Sequence, residues 1–545
     1  MTPAVKKHIE PRRYLISFDT AALPEIAADV LVIGSGVAGL RAAIEAAEHG
    51  EVLVVTKETV REGSTEHAQG GVAVALDLSD SNEAHVRDTL EVGCGLCDEA
   101  VVRSIISGGA ERVRELIAWG ATFDAKDGKL QYTREGGHSK PRIVHARGDA
   151  TGAEIEATLV AEAQVRRRIH ILEHCYAVDL LTEGGVCRGA LIHHPTKGLM
   201  VAWSCQTIIA SGGMGRLFRE TTNPAVITGD GIAMSYRTGA RLMDLEFMQF
   251  HPTTLYVAGA SRALITEAVR GEGGILRNRF GERFMPGYHP DAELAPRDVV
   301  ARSIIREMKR TNDTNVYLDL THLTRAKLER RFPTIRALCA EFDIDIAEDW
   351  IPVQPSAHYS VGGVATDLSG RTSLPGLLAC GEAACTRFHG ANRLGSNSLL
   401  EGLVMGKRTG ETAGRALGGP RPEPCRITHR VDRERQAVID VADVEMSLRS
   451  LMWRNVGIER HAQDLTVANE RADFWCSYIV EREFDRPAGW QLQNMLSLAK
   501  AVIHLAQLRT ESRGCHFRSD FPQIDDANWR RHSLLCRNVQ EVKHV

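Results

Sequence analysis

The stretch "DVLVIGSGVAGLRAAIEAAEHGEVLVVTK", Asp29 to Lys57, restricts what this chain can fold into more than any other. Asp29 to Ile33 is a short apolar run rich in β-branched residues, as a strand covered on both faces requires. Gly34, Gly36 and Gly39 follow as G-x-G-x-x-G. Leu40, Ala43, Ile44 and Ala47 recur at helical spacing, Gly50 stops the helix, and "EVLVVTK" supplies a second strand. In such a β-α-β unit the first glycine permits the tight turn and the second lets the backbone approach a pyrophosphate. The third allows close helix-strand packing, and the helix N-terminus stabilises phosphate charge. A lone glycine pattern is weak, but in this context it is a strong sign of a dinucleotide.

The second strand departs from the common pattern. An acidic residue usually ends it and holds the ribose hydroxyls, whereas here Lys57 stands in that place. The residues alone leave two readings of Lys57 open, a nucleotide contact or a solvated side chain. A second nucleotide signal lies far away, in "LPGLLACGEAACTRFHGANRLGSNSLLEGLVMGK". A strand ending at Gly381-Glu382 would put the Glu382 carboxylate on a ribitol or ribose. The helix start at Ser398 and Leu399 would aim backbone N–H groups at an electron-rich ring edge. Two distant half-sites suit FAD better than NAD.

The chain has 545 residues, 43% hydrophobic and 25% charged, enough for two to four domains. A net charge of −4 gives no basic excess for nucleic acid or an anionic membrane. No apolar run reaches about 18 residues, so no transmembrane helix is expected. The N-terminus lacks an apolar core followed by a small-residue cleavage site, which argues against a signal peptide. The 12 cysteines are scattered, and Cys94-Gly-Leu-Cys97 has no second pair at zinc spacing. Reduced buried thiols, no metal and a cytoplasmic location are the expectation.

The pattern along the chain is that of a discontinuous architecture: an α/β Rossmann-like domain, an inserted α+β cap, then helices. An extension covers 1–28, the nucleotide-binding domain 29–244 and 360–429, and the inserted domain 245–359. The helical domain covers 430–545, where the spacing reads as helical throughout. Histidines and arginines gather in "EFMQFHPTTL" (His251), "APRDVVAR" (Arg297), "SAHYSVGG" (His358) and "HGANRLGSNS" (His389, Arg393). Beside glycines and prolines they read as loops around a pocket. Two arginines and two histidines would serve a dicarboxylate, since guanidinium grips carboxylate through paired hydrogen bonds. Singly, each has a plainer reading as a core histidine or a structural ion pair.

With these residues in view the chain resembles the fumarate reductase and succinate dehydrogenase flavoprotein family over about residues 29 to 535. The motifs that carry the likeness are "GSTEHAQGGVA", "YTREGGHSKPRIVHARGDATG", "TTNP", "TGDGIAM", "EFMQFHPT", "GERFMP", "LAPRDVVAR", "HYSVGG", "GANRLGSNSLLEGLV" and "ESRGCHFRSDFP". The resemblance implies an FAD-binding domain, a capping domain and a helical C-terminal domain. It implies FAD contacts at Gly34, Ser35, Gly36, Val37, Ala38, Gly39, Lys57, Ser64, Thr65, Gln69, Gly70, Gly71, Asp230, Glu382, Ser398 and Leu399, so Lys57 becomes a cofactor contact. It places substrate carboxylates on His251, Thr266, His358 and Arg393. Arg297 becomes the proton donor to fumarate, with Glu267 and Arg270 as its relay.

Within the family the residues favour the aspartate-oxidising members. Aligned on Ala68-Gln69-Gly70-Gly71, the histidine that bonds FAD covalently in succinate dehydrogenase is replaced by Ser64, and His67 is out of register. FAD is therefore expected to be noncovalent. Glu135 in "TREGGHS" matches a glutamate that faces the substrate amino group. No C-x-x-C-H haem site is present. The implied reaction oxidises L-aspartate to iminoaspartate. Dioxygen (giving hydrogen peroxide) or fumarate (giving succinate) is the acceptor, at the head of the quinolinate route to NAD and with functional coupling to quinolinate synthase. A soluble fumarate reductase or a succinate dehydrogenase flavoprotein subunit is the alternative.

Overall fold

The computed structural model of the protein describes residues 12–258, 263–419, 421, 423–431, 438–537 and 543–544. Strand β1 (Glu25–Ile33), helix α1 (Val37–Ala46) and strand β2 (Val52–Val55) form the opening unit, with β1 and β2 parallel from Val30 opposite Val52 to Ile33 opposite Val55. All four residues of β2 are buried, as a strand covered on both faces must be. The sheet continues through β3 (Ile169–Leu172), parallel to β2. It then takes in the antiparallel run β4 (Tyr176–Glu183), β5 (Val186–His194) and β6 (Gly198–Ile209). The strand order is β4-β5-β6-β1-β2-β3, and β7 (Leu377–Ala379) pairs parallel with the end of β6. Strand β6 thus stands between the β-α-β unit and a strand contributed some 320 residues later, which brings the two nucleotide signals into one sheet.

Helix α2 (Arg297–Thr311) belongs to the inserted region, and helix α3 (Asn397–Arg415) follows β7. Helices α1 and α3 touch backbone to backbone. A Cβ on Gly406 would lie 2.6 Å from the Ala38 carbonyl oxygen, and one on Gly410 would lie 2.3 Å from that of Ala42. This approach, open only to glycine, sets the N-termini of both helices on one cleft.

The inserted region is built on a four-stranded antiparallel sheet. Its order is Met248–Leu255, Ile351–Ser360, Val316–Asp319, Ile275–Arg277, and it has its own apolar core around Leu276, Val300, Ile304, Leu318 and Val353. The chain enters and leaves it through strands Leu242–Met243 and Gly363–Ala365, which pair with each other.

Helices α4 (Val441–Asn455), α5 (Ala462–Ile479) and α6 (Pro487–Leu508) complete the chain. Helix α6 is buried at nearly every position from Gly489 to Ala506, so it is a core helix of the whole molecule. The expectation of helix throughout this tail is corrected by its end. Ser533–Leu535 is a strand that pairs with Leu242–Met243, and Asp244 accepts from the Ser533 N–H at 2.9 Å and pairs with His532 at 2.6 Å. The tail therefore fastens the crossing between the two parts, and pairing with a distant strand outweighs local helical spacing.

The described segment before β1 is packed against the sheet. Tyr14, Leu15, Ile16 and Phe18 are buried against Val178, Trp203 and Trp490, and the Leu15 N–H donates to Asp179 at 2.8 Å. Residues 1–11 of the expected extension lie outside the described residues. No helix among the described residues is long and apolar enough to cross a membrane. Cys94 and Cys97 form no disulfide, and burial pushes their thiols up to about 12.

Candidate active site

One cleft of about 990 Å³ runs from the N-terminus of α1 to that of α3 and ends under the cap. A volume at the upper end of ordinary ligand pockets suits a dinucleotide with a small acid beside it. Gly34, Ser35, Gly36, Val37 and Ala38 line one end, and Ser64, Thr65, Gln69, Gly70 and Gly71 line its side. Gly34 sits at φ +112°, and a Cβ there would lie 2.3 Å from the Ala210 carbonyl oxygen. Gly39 lies off the wall, where a Cβ would meet the Gly34 carbonyl oxygen at 2.1 Å, so its role is packing α1 onto the turn.

Three polar groups on the cleft wall, Ser64 Oγ, Gln69 Oε1 and Ser211 Oγ, are buried and have no protein partner. Buried polar atoms are rarely left unbonded, so these call for a polar ligand. Glu382 lines the far end, accepts from the Ser360 N–H at 2.8 Å, and is pushed up to about 7 by burial. Ser398 and Leu399, in the first turn of α3, also line it. These residues fit FAD.

Lys57 lines the same cleft. Its ammonium donates to Asp230 Oδ2 at 2.6 Å, Thr228 Oγ1 at 2.8 Å and the Val226 carbonyl at 2.9 Å, which uses all three of its donors. Asp230 also accepts from Tyr176 at 2.8 Å and from Asn494 of α6 at 2.6 Å. Burial pushes the Asp230 carboxyl up, but Lys57 and the hydrogen bonds from Thr228 and Asn494 outweigh it and hold it below the usual range. Lys57 and Asp230 line the cleft as a closed pair that fixes the 226–230 loop.

Under the cap, His251, Thr266, Arg297, His358 and Arg393 all line the same cleft. His251 and His358 stand on adjacent antiparallel strands with ring centroids 5.2 Å apart. His251 Nδ1 lies 3.1 Å from the Thr253 carbonyl oxygen, and its Nε2 is buried without a partner. His358 Nδ1 lies 2.9 Å from Thr222 Oγ1. Burial first, with the neighbouring arginines adding to it, holds both imidazoles well below their ordinary pKa, so both are neutral at pH 7. Arg297 occupies the first turn of α2. Arg393 stacks over Tyr359 at 4.4 Å, and burial pushes its guanidinium down to about 10.

Behind this wall lies a charged layer. Arg297 Nε donates to Glu267 Oε2 at 2.5 Å, and Arg270 sits 3.2 Å from Glu267 Oε1. Burial pushes Glu267 up, and the two guanidinium groups outweigh it and keep it ionised. Glu135 is not on the cleft wall. Ser396, which lines the cleft, donates to its Oε2 at 2.8 Å, and its Oε1 is buried without a partner. Burial, then Glu267, raises its pKa. His389 is a structural residue, paired with Glu401 at 2.9 Å away from the cleft. The motifs did not single out Gln249, Ser396 or His138. Gln249 stands on the His251 strand two positions earlier, on the same face, and that alternation is the signal that points to it.

The fold and the cleft define an FAD-dependent flavoprotein. The family described as "FAD binding domain" matches residues 29–399, and "Fumarate reductase flavoprotein C-term" matches residues 485–544. The chain is 44% identical to an L-aspartate oxidase of Streptomyces coelicolor, over 95% of this chain and 93% of that protein. It is 43% identical to an L-aspartate oxidase of Ralstonia nicotianae, over 91% and 96%. Among solved structures, an E. coli quinol fumarate reductase matches with TM-score 0.88 and 30% identity, over 96% of this chain and 97% of that one. A Mycobacterium smegmatis Sdh1 complex matches with TM-score 0.82 and 34% identity, over 96% and 94%. The chain belongs to the L-aspartate oxidases within the fumarate reductase and succinate dehydrogenase flavoprotein family.

Proposed function

We infer that the protein oxidises L-aspartate to iminoaspartate with noncovalent FAD and returns the electrons to dioxygen, giving hydrogen peroxide, or to fumarate, giving succinate. The observation that carries this is the meeting of Arg297, Arg393, His251 and His358 at one end of a dinucleotide cleft. When bound, FAD accepts two electrons from the substrate and passes them to the acceptor. Ser64, Gln69 and the Gly70-Gly71 backbone line its path without offering a covalent link.

Arg393 and neutral His251 and His358 bind the substrate carboxylates. Two neutral imidazoles beside two cations give donors without further like charge. Ser396, on the cleft wall, can accept from the substrate ammonium while donating to Glu135. The Glu135 carboxylate then favours that ammonium through a poorly screened interior. In the fumarate half-reaction Arg297 gives the proton. Glu267 and Arg270 hold Arg297 in place and relay a proton back to it. The domain reading, an FAD-binding part of 29–244 and 360–429 capped by 245–359 and followed by 430–545, is supported by the separate apolar core of the cap.

The reaction stands first on the route through quinolinate to NAD, in the cytoplasm, with iminoaspartate consumed promptly by quinolinate synthase because an imine hydrolyses readily. The test is product analysis. Purified enzyme with aspartate should make hydrogen peroxide in air and succinate under anaerobic fumarate. Absence of both products overturns the proposal.

A further inference from the structure

Gln249 is fully buried between the two guanidinium groups of the pocket. Its Oε1 accepts from Arg393 Nη2 at 2.9 Å, from Arg393 Nε at 3.2 Å and from Arg297 Nη1 at 3.4 Å. Its Nε2 donates to Asn392 Oδ1 at 2.7 Å and to the Arg393 carbonyl at 2.7 Å. Both partners of the amide nitrogen are acceptors only, so the amide has one possible orientation and its oxygen must face the arginines. Asn392 is itself fixed. Its Nδ2 donates to Asp298 at 3.0 Å, and its Oδ1 accepts from Cys515 at 3.2 Å. A neutral oxygen held by this scaffold thus ties together two cations that would otherwise repel, without cancelling the charge a ligand needs.

We propose that Gln249 is a positioning residue that sets the spacing of Arg297 and Arg393, and through it how a four-carbon dicarboxylate seats against them. This rests on the dicarboxylate reading of the site. A carboxylate at this position would draw both guanidinium groups inward and compete with the substrate. It would also press its second oxygen against Asn392 Oδ1 and the Arg393 carbonyl. An apolar side chain of similar length would leave the charges in place and remove their common acceptor.

The test compares Gln249→Glu and Gln249→Met with the wild type, per bound FAD. Calorimetry reads fumarate affinity of the oxidised enzyme, and steady-state assay reads kcat for fumarate reduction. Gln249→Glu should weaken fumarate binding by about a hundredfold, and Gln249→Met by about tenfold or less. Gln249→Met should lower kcat by about tenfold or more, as loss of charge-assisted hydrogen bonds does. Wild-type affinity and kcat in both variants overturn the proposal. So does an equal change in both variants that follows a lowered melting temperature, which is the mark of packing alone. If Gln249→Met fails to fold, fumarate affinity of Gln249→Glu decides. A wild-type enzyme that binds no fumarate and oxidises no aspartate overturns the functional reading instead.

Discussion

The Nε of Arg297 donates to Oε2 of Glu267 at 2.5 Å, while the same guanidinium lines the substrate end of the cleft. One cation is held from behind by a buried carboxylate and faces the ligand in front. A carboxylate placed behind the guanidinium can hand a proton back to it after it has given one in front. Arg297→Leu should therefore reduce fumarate turnover by on the order of 10²–10⁴-fold, the usual worth of a positioned acid, while bound FAD per chain stays unchanged. Steady-state rates and the flavin absorbance of the purified variant check both parts.

Glu135 should act on aspartate and little on fumarate, which has no ammonium. Glu135→Gln should lower kcat/KM for aspartate by about 10–100-fold, the worth of a lost charge-assisted contact, and that for fumarate far less. The variant should also be the more stable protein at alkaline pH. Glu135 has its pKa raised by burial and by Glu267, so the folded state holds its proton more tightly than the unfolded one. Stability from this group is present at low pH and falls as pH rises from the unfolded value through the folded one. Melting temperatures across pH 5 to 9 should show the two proteins diverging upward.

Histidine titration acts in the opposite direction. His138 and His504 are pushed down to about 4, His85 and His145 to about 3, and His251 and His358 lower than their ordinary values, chiefly by burial. The unfolded chain takes up these protons below about 6.5 and the folded chain does not. Stability should hold above pH 6.5 and fall steeply from there toward pH 4, with net proton uptake on unfolding. Melting curves in two buffers of different ionisation enthalpy measure that uptake.

Noncovalent FAD makes two further expectations. Acid denaturation should leave all the flavin in the supernatant. The melting temperature should rise with added FAD, by the equivalent of about 2.7 kcal/mol at a hundredfold excess over the dissociation constant. A melting temperature independent of FAD, or yellow precipitate, contradicts it.

Much of the nucleotide half was legible in the sequence because its physics is local. The β-branched run, the glycine turn and the helix of Asp29 to Lys57 lie within one unit, and each residue's role follows from its neighbours. Other features needed tertiary contacts. Lys57 reads as a cofactor contact in sequence, and only the fold shows a loop some 170 residues later taking all three of its donors. Glu135 reads as facing the ligand, and only the fold shows that Ser396, which lines the cleft, donates to it. Gln249 carries no charge and only its alternation with His251 marks it, and its place between two arginines exists only once the cap strand and the 392–393 loop meet. The tail read as helical because α4, α5 and α6 are, while Ser533–Leu535 becomes a strand through pairing with residues nearly 300 positions away.

The central claim is that this pocket oxidises an amino dicarboxylate. The most direct measurement is anaerobic reduction of the enzyme-bound flavin, followed by loss of its absorbance near 450 nm, with L-aspartate and with succinate in parallel. Bleaching by aspartate and a much slower or absent response to succinate is the expected result. Bleaching by succinate with none by aspartate would contradict the account.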